Sequence, residues 1–141
     1  MSLDALRKLH GQTVETLMME LGHIAQSLSL TEAQYRRMET EMVTDAEKYS
    51  RETQQGMSIE AMLEWQARMH AQQAALHQVH LEIEQATLLW QHTNTLLVEA
   101  SQECKLFDRV LEQREITKRV DVARQEQRAT DEAASRRYWS G

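Results

Sequence analysis

Apolar residues recur along this chain in steps of seven. From Met62 onward the positions Met62, Met69, Leu76, Ile83, Trp90, Leu97, Cys104 and Leu111 are all apolar. A companion row three residues further on reads Trp65, Gln72, Val79, Ala86, Thr93, Ala100, Phe107 and Arg114, and it is weaker, with Ala and Thr in its middle. Together the two rows make the seam that a coiled coil requires. A strict repeat of seven predicts a left-handed supercoil, whereas a surface helix of a globular protein shows a wider apolar stripe over a shorter run. The first half carries the same period. Leu3, Arg7, His10, Val14, Leu17, Leu21, Ile24, Leu28, Thr31, Tyr35, Met38, Met42, Asp45 and Tyr49 interleave as its two rows, and ten of these 14 are apolar. Thr31 and Gln34 resemble a capping box after the Ser-rich stretch at 27–31. The heptad phase passes through without slipping, so the pattern favours one continuous helix there.

Between the halves lies Glu52-Thr53-Gln54-Gln55-Gly56-Met57-Ser58. Gly56 suits a left-handed helix end, and Ser58 suits an N-cap with Glu60 in the first turn. The pattern predicts an all-α fold of a single domain, 1–141: helix 3–52, a tip at 53–58, and helix 59–138. It reads as a long antiparallel coiled-coil hairpin with a C-terminal helical overhang. At 1.5 Å per residue the arms measure ~75 Å and ~120 Å. Pairing symmetric about residue 55 puts Leu3 opposite Phe107 and leaves everything past about residue 110 without an intramolecular partner. The heptad ends there too, because Leu111 is followed in its row by Lys118, Gln125 and Glu132.

Composition narrows the picture further. There is no Pro among 141 residues, Gly occurs four times, and aromatics make up 5%. Sheets and sandwiches need many more turn residues. Gly11 and Gly22 fall inside the first helix and cost it stability. No run approaches the 18 apolar residues of a membrane span, and MSLDALRKLHG lacks the design of a signal peptide. One cysteine permits neither an internal disulfide nor a cysteine-based metal site. A cytoplasmic location follows as the expectation.

The net charge is −6, against non-specific nucleic-acid binding. Its distribution is uneven. Residues 105–141 hold nine basic and seven acidic residues, a net +2, leaving seven and 15, a net −8, for residues 1–104. The heptad's end, the pairing limit and the basic segment therefore fall at one boundary. A helix of ~30 residues without a packing partner is marginal alone, which suggests that the basic overhang docks into something. Its charges also fit a solvated face laced with i,i+4 pairs.

No catalytic site is expected, since two paired helices enclose no pocket that excludes water. No phosphate-binding Gly loop follows a strand, and no Ser or Cys nucleophile has a base beside it. No cofactor is implied. His70, His77 and His80 share a side of the second helix, but no further ligand completes a metal set. Cys104 reads as a buried seam thiol. Met38, Met42, Met62 and Met69 crowd the loop end, as core filler or as an adaptable contact surface.

The helix ending in Tyr49, the tip at Gly56-Met57, and Trp65, Met69, Leu76 and His80 on the second helix make a recognisable order. With Leu111-Glu112-Gln113-Arg114 and the tail Ala123 to Ala133 (ARQEQRATDEA), the chain resembles the FliJ family over nearly its whole length. These are small coiled-coil stalk proteins of the flagellar type III export apparatus, and they are not enzymes. The resemblance implies that the open end enters the pore of the hexameric export ATPase. It implies contact there through Arg114, Arg124, Gln127, Arg128 and Asp131. It also implies that the tip reaches the cytoplasmic domain of the export-gate membrane protein. The matching positions are Met38, Met42, Tyr49, Met69, Leu76 and His80. Export chaperones are further implied partners. The location so implied is cytoplasmic and peripheral at the inner-membrane export apparatus, with a monomer when isolated. The equivalent stalk of a virulence-type injectisome shares this architecture. A structural coiled-coil oligomer would need a second seam along residues 111–138, where none is visible.

Overall fold

The computed structural model describes residues 2–140. Met1 and Gly141, part of the expected 1–141 domain, lie outside the described residues. Two long helices pack against each other: α1, Leu3–Gln55, and α2, Ile59–Ser140. Among the described residues there is no strand. The boundaries have local causes. The Ser2 hydroxyl accepts a hydrogen bond from the Ala5 amide (3.1 Å) and caps α1. α1 runs past its expected end at residue 52 as far as Gln55. There Gly56, at φ 102°, takes the left-handed conformation that closes a helix, and its amide donates to the Thr53 carbonyl (3.2 Å). Ser58 then caps α2, its hydroxyl accepting from the Ala61 amide (3.1 Å). Thr31 does not act as a cap. Its hydroxyl donates to the Ser27 carbonyl one turn back (2.9 Å), and α1 continues through the stretch.

The chain divides into two units whose limits fall inside both helices. One comprises Thr16–Leu96 and holds the turn. The other comprises the start of α1, up to Glu15, and α2 from Leu97 onward. In each unit the half-buried positions repeat in steps of three and four. On α1 every position of the heptad rows from Leu3 to Tyr49 is withdrawn from full exposure, and on α2 so is every row position from Met62 to Leu111. Among the described residues only Val79, Thr93, Ala100 and Cys104 are buried outright. Three of these four belong to the companion row that looked weaker in sequence. Small side chains let two backbones approach closely, which encloses Thr93 and Ala100, while Ala86 stays half-buried.

The pairing differs from the expected register. In the turn-containing unit, Tyr49 faces Trp65 and Tyr35 faces His80. In the other unit, Arg7 meets Asp108, and His10 rather than Leu3 lies against Phe107. Leu3 borders Leu111 instead. These pairs centre between residues 57 and 59 rather than on residue 55. The cause is the later helix end: with α1 extended to Gln55 the turn shrinks to Gly56-Met57-Ser58, and its midpoint moves. Partners shift by about one helical turn along α2.

With so few buried side chains, each one counts. Val79→Ala is expected to cost about 1–2 kcal/mol in urea denaturation, through lost burial and the space left behind. Leu30→Ala, at a position 66% exposed on α1, is expected to change stability by less than about 0.5 kcal/mol.

Candidate functional site

Near the turn, the seam of the Thr16–Leu96 unit carries a polar and aromatic ladder. The Trp65 indole N–H donates to Glu52 Oε2 (2.9 Å), and its ring lies 6.0 Å from that of Tyr49. The Arg68 guanidinium sits 5.3 Å from the Trp65 ring centroid, in cation–π contact. Arg68 also pairs with Asp45, Nη2 to Oδ2, at 3.1 Å. The Asp45 carboxylate is only 14% exposed and accepts a second hydrogen bond from Gln72 Nε2 (2.5 Å). The other amide atom, Gln72 Oε1, is buried and unpartnered among the described residues. A groove of about 360 Å³ opens beside this layer, lined by Met38, Glu41, Met42, Arg68, Ala71, Gln72 and Ala75. Its walls combine flexible thioethers, small methyl groups and one charge of each sign, a composition suited to adaptable contact with another protein.

The six positions expected at the tip are not equivalent in the structure. Met38, Met42, Tyr49, Met69 and Leu76 are half-buried seam residues, and the two Met side chains also line the groove. His80 alone is exposed. Its Nε2 lies 3.0 Å from Glu84, and its ring lies 6.1 Å from Tyr35. The imidazoles of His70 and His77 are exposed on α2. Among the described residues no group of three or more His, Cys, Asp or Glu side chains could hold a metal ion. Sequence reasoning did not single out Glu52, Arg68 or Gln72. The observed register brings Gln72 to Asp45, with Arg68 one turn away on the same face, and the heptad pattern alone does not give that register.

The other unit ends in an unpaired stretch of α2. Arg7 Nε meets Asp108 Oδ1 at 2.6 Å, and this hydrogen-bonded carboxylate raises the Arg7 pKa above its ordinary value. A Cβ at Gly11 would lie 2.8 Å from Arg7 Nη1, so the glycine leaves room for that guanidinium. His10 Nδ1 lies 3.1 Å from Glu103, and the ring stacks 4.9 Å from Phe107. Beyond these clasps, Ser2, Leu3 and Asp4 face Leu111, Arg114, Glu115 and Lys118 across a notch of about 520 Å³. Leu111 is the last half-buried residue, and every described residue after it is exposed. Arg114 therefore stands at the notch, and Arg124, Gln127, Arg128 and Asp131 stand beyond it. Arg124 and Arg128 lie one turn apart on one face. Gln127 Nε2 donates to Asp131 Oδ1 (3.0 Å) on the strip beside them. No helix among the described residues is long and apolar enough to cross a membrane.

The sequence profile of the family described as Flagellar FliJ protein matches residues 1–141, the whole chain. The chain belongs to the FliJ family. FliJ proteins are structural components of the flagellar type III export apparatus and are not known as enzymes. No curated protein and no solved structure gave a match.

In this FliJ chain the Asp45–Gln72 layer sets a charged group into the seam near the turn, and its partners stabilise one another. Gln72→Leu alone, which leaves the largely buried Asp45 with Arg68 as its remaining partner, is expected to destabilise by about 1 kcal/mol. Replacing both, Asp45→Leu with Gln72→Leu, is expected to restore stability to wild type or above it. A double-mutant cycle by urea denaturation measures the difference.

Proposed function

We propose that this FliJ-family chain is the stalk of the flagellar export machine. The overhang of α2 enters the central pore of the hexameric export ATPase, and the end with the turn meets the cytoplasmic domain of the export-gate protein. The observation that carries this reading is the stretch of α2 after Leu111. Every described residue in it is exposed, and past the notch shared with Ser2–Asp4 it is helical to Ser140. A helix so exposed is marginal by itself, and a ring that surrounds it would supply the missing packing. Arg114, Arg124, Gln127, Arg128 and Asp131 offer that ring cationic and hydrogen-bonding groups without competing intrachain demands, apart from the Gln127–Asp131 link.

The seam supports the rest of the reading. Half-buried positions at alternating three- and four-residue steps on both helices fit a two-stranded antiparallel coiled coil. A coiled coil resists bending and carries orientation from one end to the other, as a stalk must. At the tip, the groove of Met38 and Met42 beside the Trp65–Arg68 ladder and the exposed His80 is the proposed gate-binding surface, with Tyr49, Met69 and Leu76 holding it from beneath. Export chaperones are the remaining proposed partners, and the site of action is the cytoplasmic side of the inner membrane. The family match favours the flagellar branch over the injectisome.

Two measurements test the two ends. The triple change Arg114→Glu, Arg124→Glu, Arg128→Glu is expected to abolish stimulation of the matching hexameric ATPase, with thermal unfolding unchanged. Undiminished stimulation would overturn the overhang assignment. At the tip, His80→Ala, which removes an exposed side chain and leaves the seam intact, is expected to weaken binding to the isolated gate domain about tenfold, the loss expected of one hydrogen bond to a charged group. Unaltered affinity in calorimetry rejects that contact.

A further inference from the structure

Two aromatic residues of this chain have no place in the seam. Tyr35, Tyr49, Trp65, Trp90 and Phe107 all occupy heptad rows and are half-buried. Tyr138 and Trp139, in the last turn of α2, are 81% and 82% exposed, more than any other large apolar side chain among the described residues. Their rings meet edge to face, 5.8 Å apart. Arg136 and Arg137 precede them, and no Asp or Glu follows Glu132. The run Arg-Arg-Tyr-Trp thus gathers in four residues the three side-chain types that dominate binding hot spots.

The arrangement of the four selects the kind of partner. Residues two apart on a helix point about 200° from one another, so Arg136 stands opposite Tyr138 and Arg137 opposite Trp139. A groove or a flat surface meets one of these two sides, whereas a partner that satisfies both must surround the helix. A lipid-bound helix needs an apolar face over several turns. Here the aromatic side holds Ser135 one turn back, and Asp131 and Glu132 behind it.

We propose that Tyr138 and Trp139 anchor the overhang in a narrow collar of the hexameric ATPase, apolar on its wall and lined with carboxylates at its rim. The anchor rests on the stalk reading and extends it, since the contacts assigned there end at Asp131. The collar admits one helix, about 10–12 Å across with its side chains, and not the helix pair. α1 stops short of it: Leu3 borders Leu111, and from Leu111 to Tyr138 the overhang runs ~40 Å alone. The two rings supply affinity by burying apolar surface, and the two guanidinium groups fix the orientation by pairing with the carboxylates.

Titration of the full chain into the matching ATPase hexamer tests the anchor. Tyr138→Ala with Trp139→Ala is expected to weaken binding at least ~100-fold, about tenfold for each ring withdrawn. Thermal unfolding of the chain alone stays unchanged, because neither side chain packs in the seam. Tyr138→Phe with Trp139→Phe, which keeps two rings, should recover most of the affinity. Arg136→Gln with Arg137→Gln should weaken binding about tenfold and flatten its salt dependence. Wild-type binding undiminished by the two alanines overturns the anchor and leaves the stalk reading standing. A wild-type chain that does not bind the hexamer at all overturns both. Flotation of the wild-type chain with phosphatidylglycerol vesicles, lost in the alanine variant, assigns the rings to a lipid surface and overturns the collar.

Discussion

Everything in this structure depends on one narrow strip of contact between two helices. A globular domain surrounds its core side chains on all sides, but a helix pair offers each side chain a single neighbour to lean on. Hence, among the described residues, only Val79, Thr93, Ala100 and Cys104 are buried, and the remaining seam positions stay half-covered from Leu3 to Tyr49 and from Met62 to Leu111. Stability in such an arrangement is spread thinly along the pair and resembles that of a repeat protein, in which each layer interacts chiefly with the next. Within the unit that holds the start of α1, Arg7 clasps Asp108 and His10 clasps Glu103 and Phe107. Within the unit that holds the turn, a ladder from Glu52 through Trp65 and Arg68 to Asp45 and Gln72 joins the two helices.

Partial coverage also explains why structural and contact roles merge near the turn. In a compact protein a half-buried methionine would be read as core and a surface residue as a contact. Here Met38 and Met42 do both, facing α2 while lining an open groove. A charged layer built on Asp45 contributes little as net stability, because burying ionised groups costs nearly as much as their pairing returns. Its value lies in specificity: a polar layer tolerates only the alignment that satisfies it. That requirement fixes Gln72 beside Asp45, and with it the facing pairs Tyr49–Trp65 and Tyr35–His80.

The seam itself was legible in the sequence, because a repeat of seven leaves its mark residue by residue, and the heptad rows coincide with the half-buried positions. Its end at Leu111 was equally legible. The register was not. Pairing depends on where the turn pivots, and Gln54 and Gln55 carry no signal that separates a helix end from a loop; the left-handed Gly56 decides it. Exposure of the tip residues was not legible either, since Met38 and Leu76 look alike whether they face a partner helix or solvent.

The unbroken heptad phase has a consequence for how such a chain can change length over evolutionary time. One residue inserted into either arm rotates everything beyond it by about 100° and turns the strip away from its partner. Lengthening that keeps the supercoil unchanged therefore comes in sevens, and because the arms are joined by a three-residue turn, an insertion in one arm calls for a matching one in the other. The paired region grows or shrinks by 14 residues at a time, in increments of ~10 Å. The stretch after Leu111 is free of that rule and can drift one residue at a time.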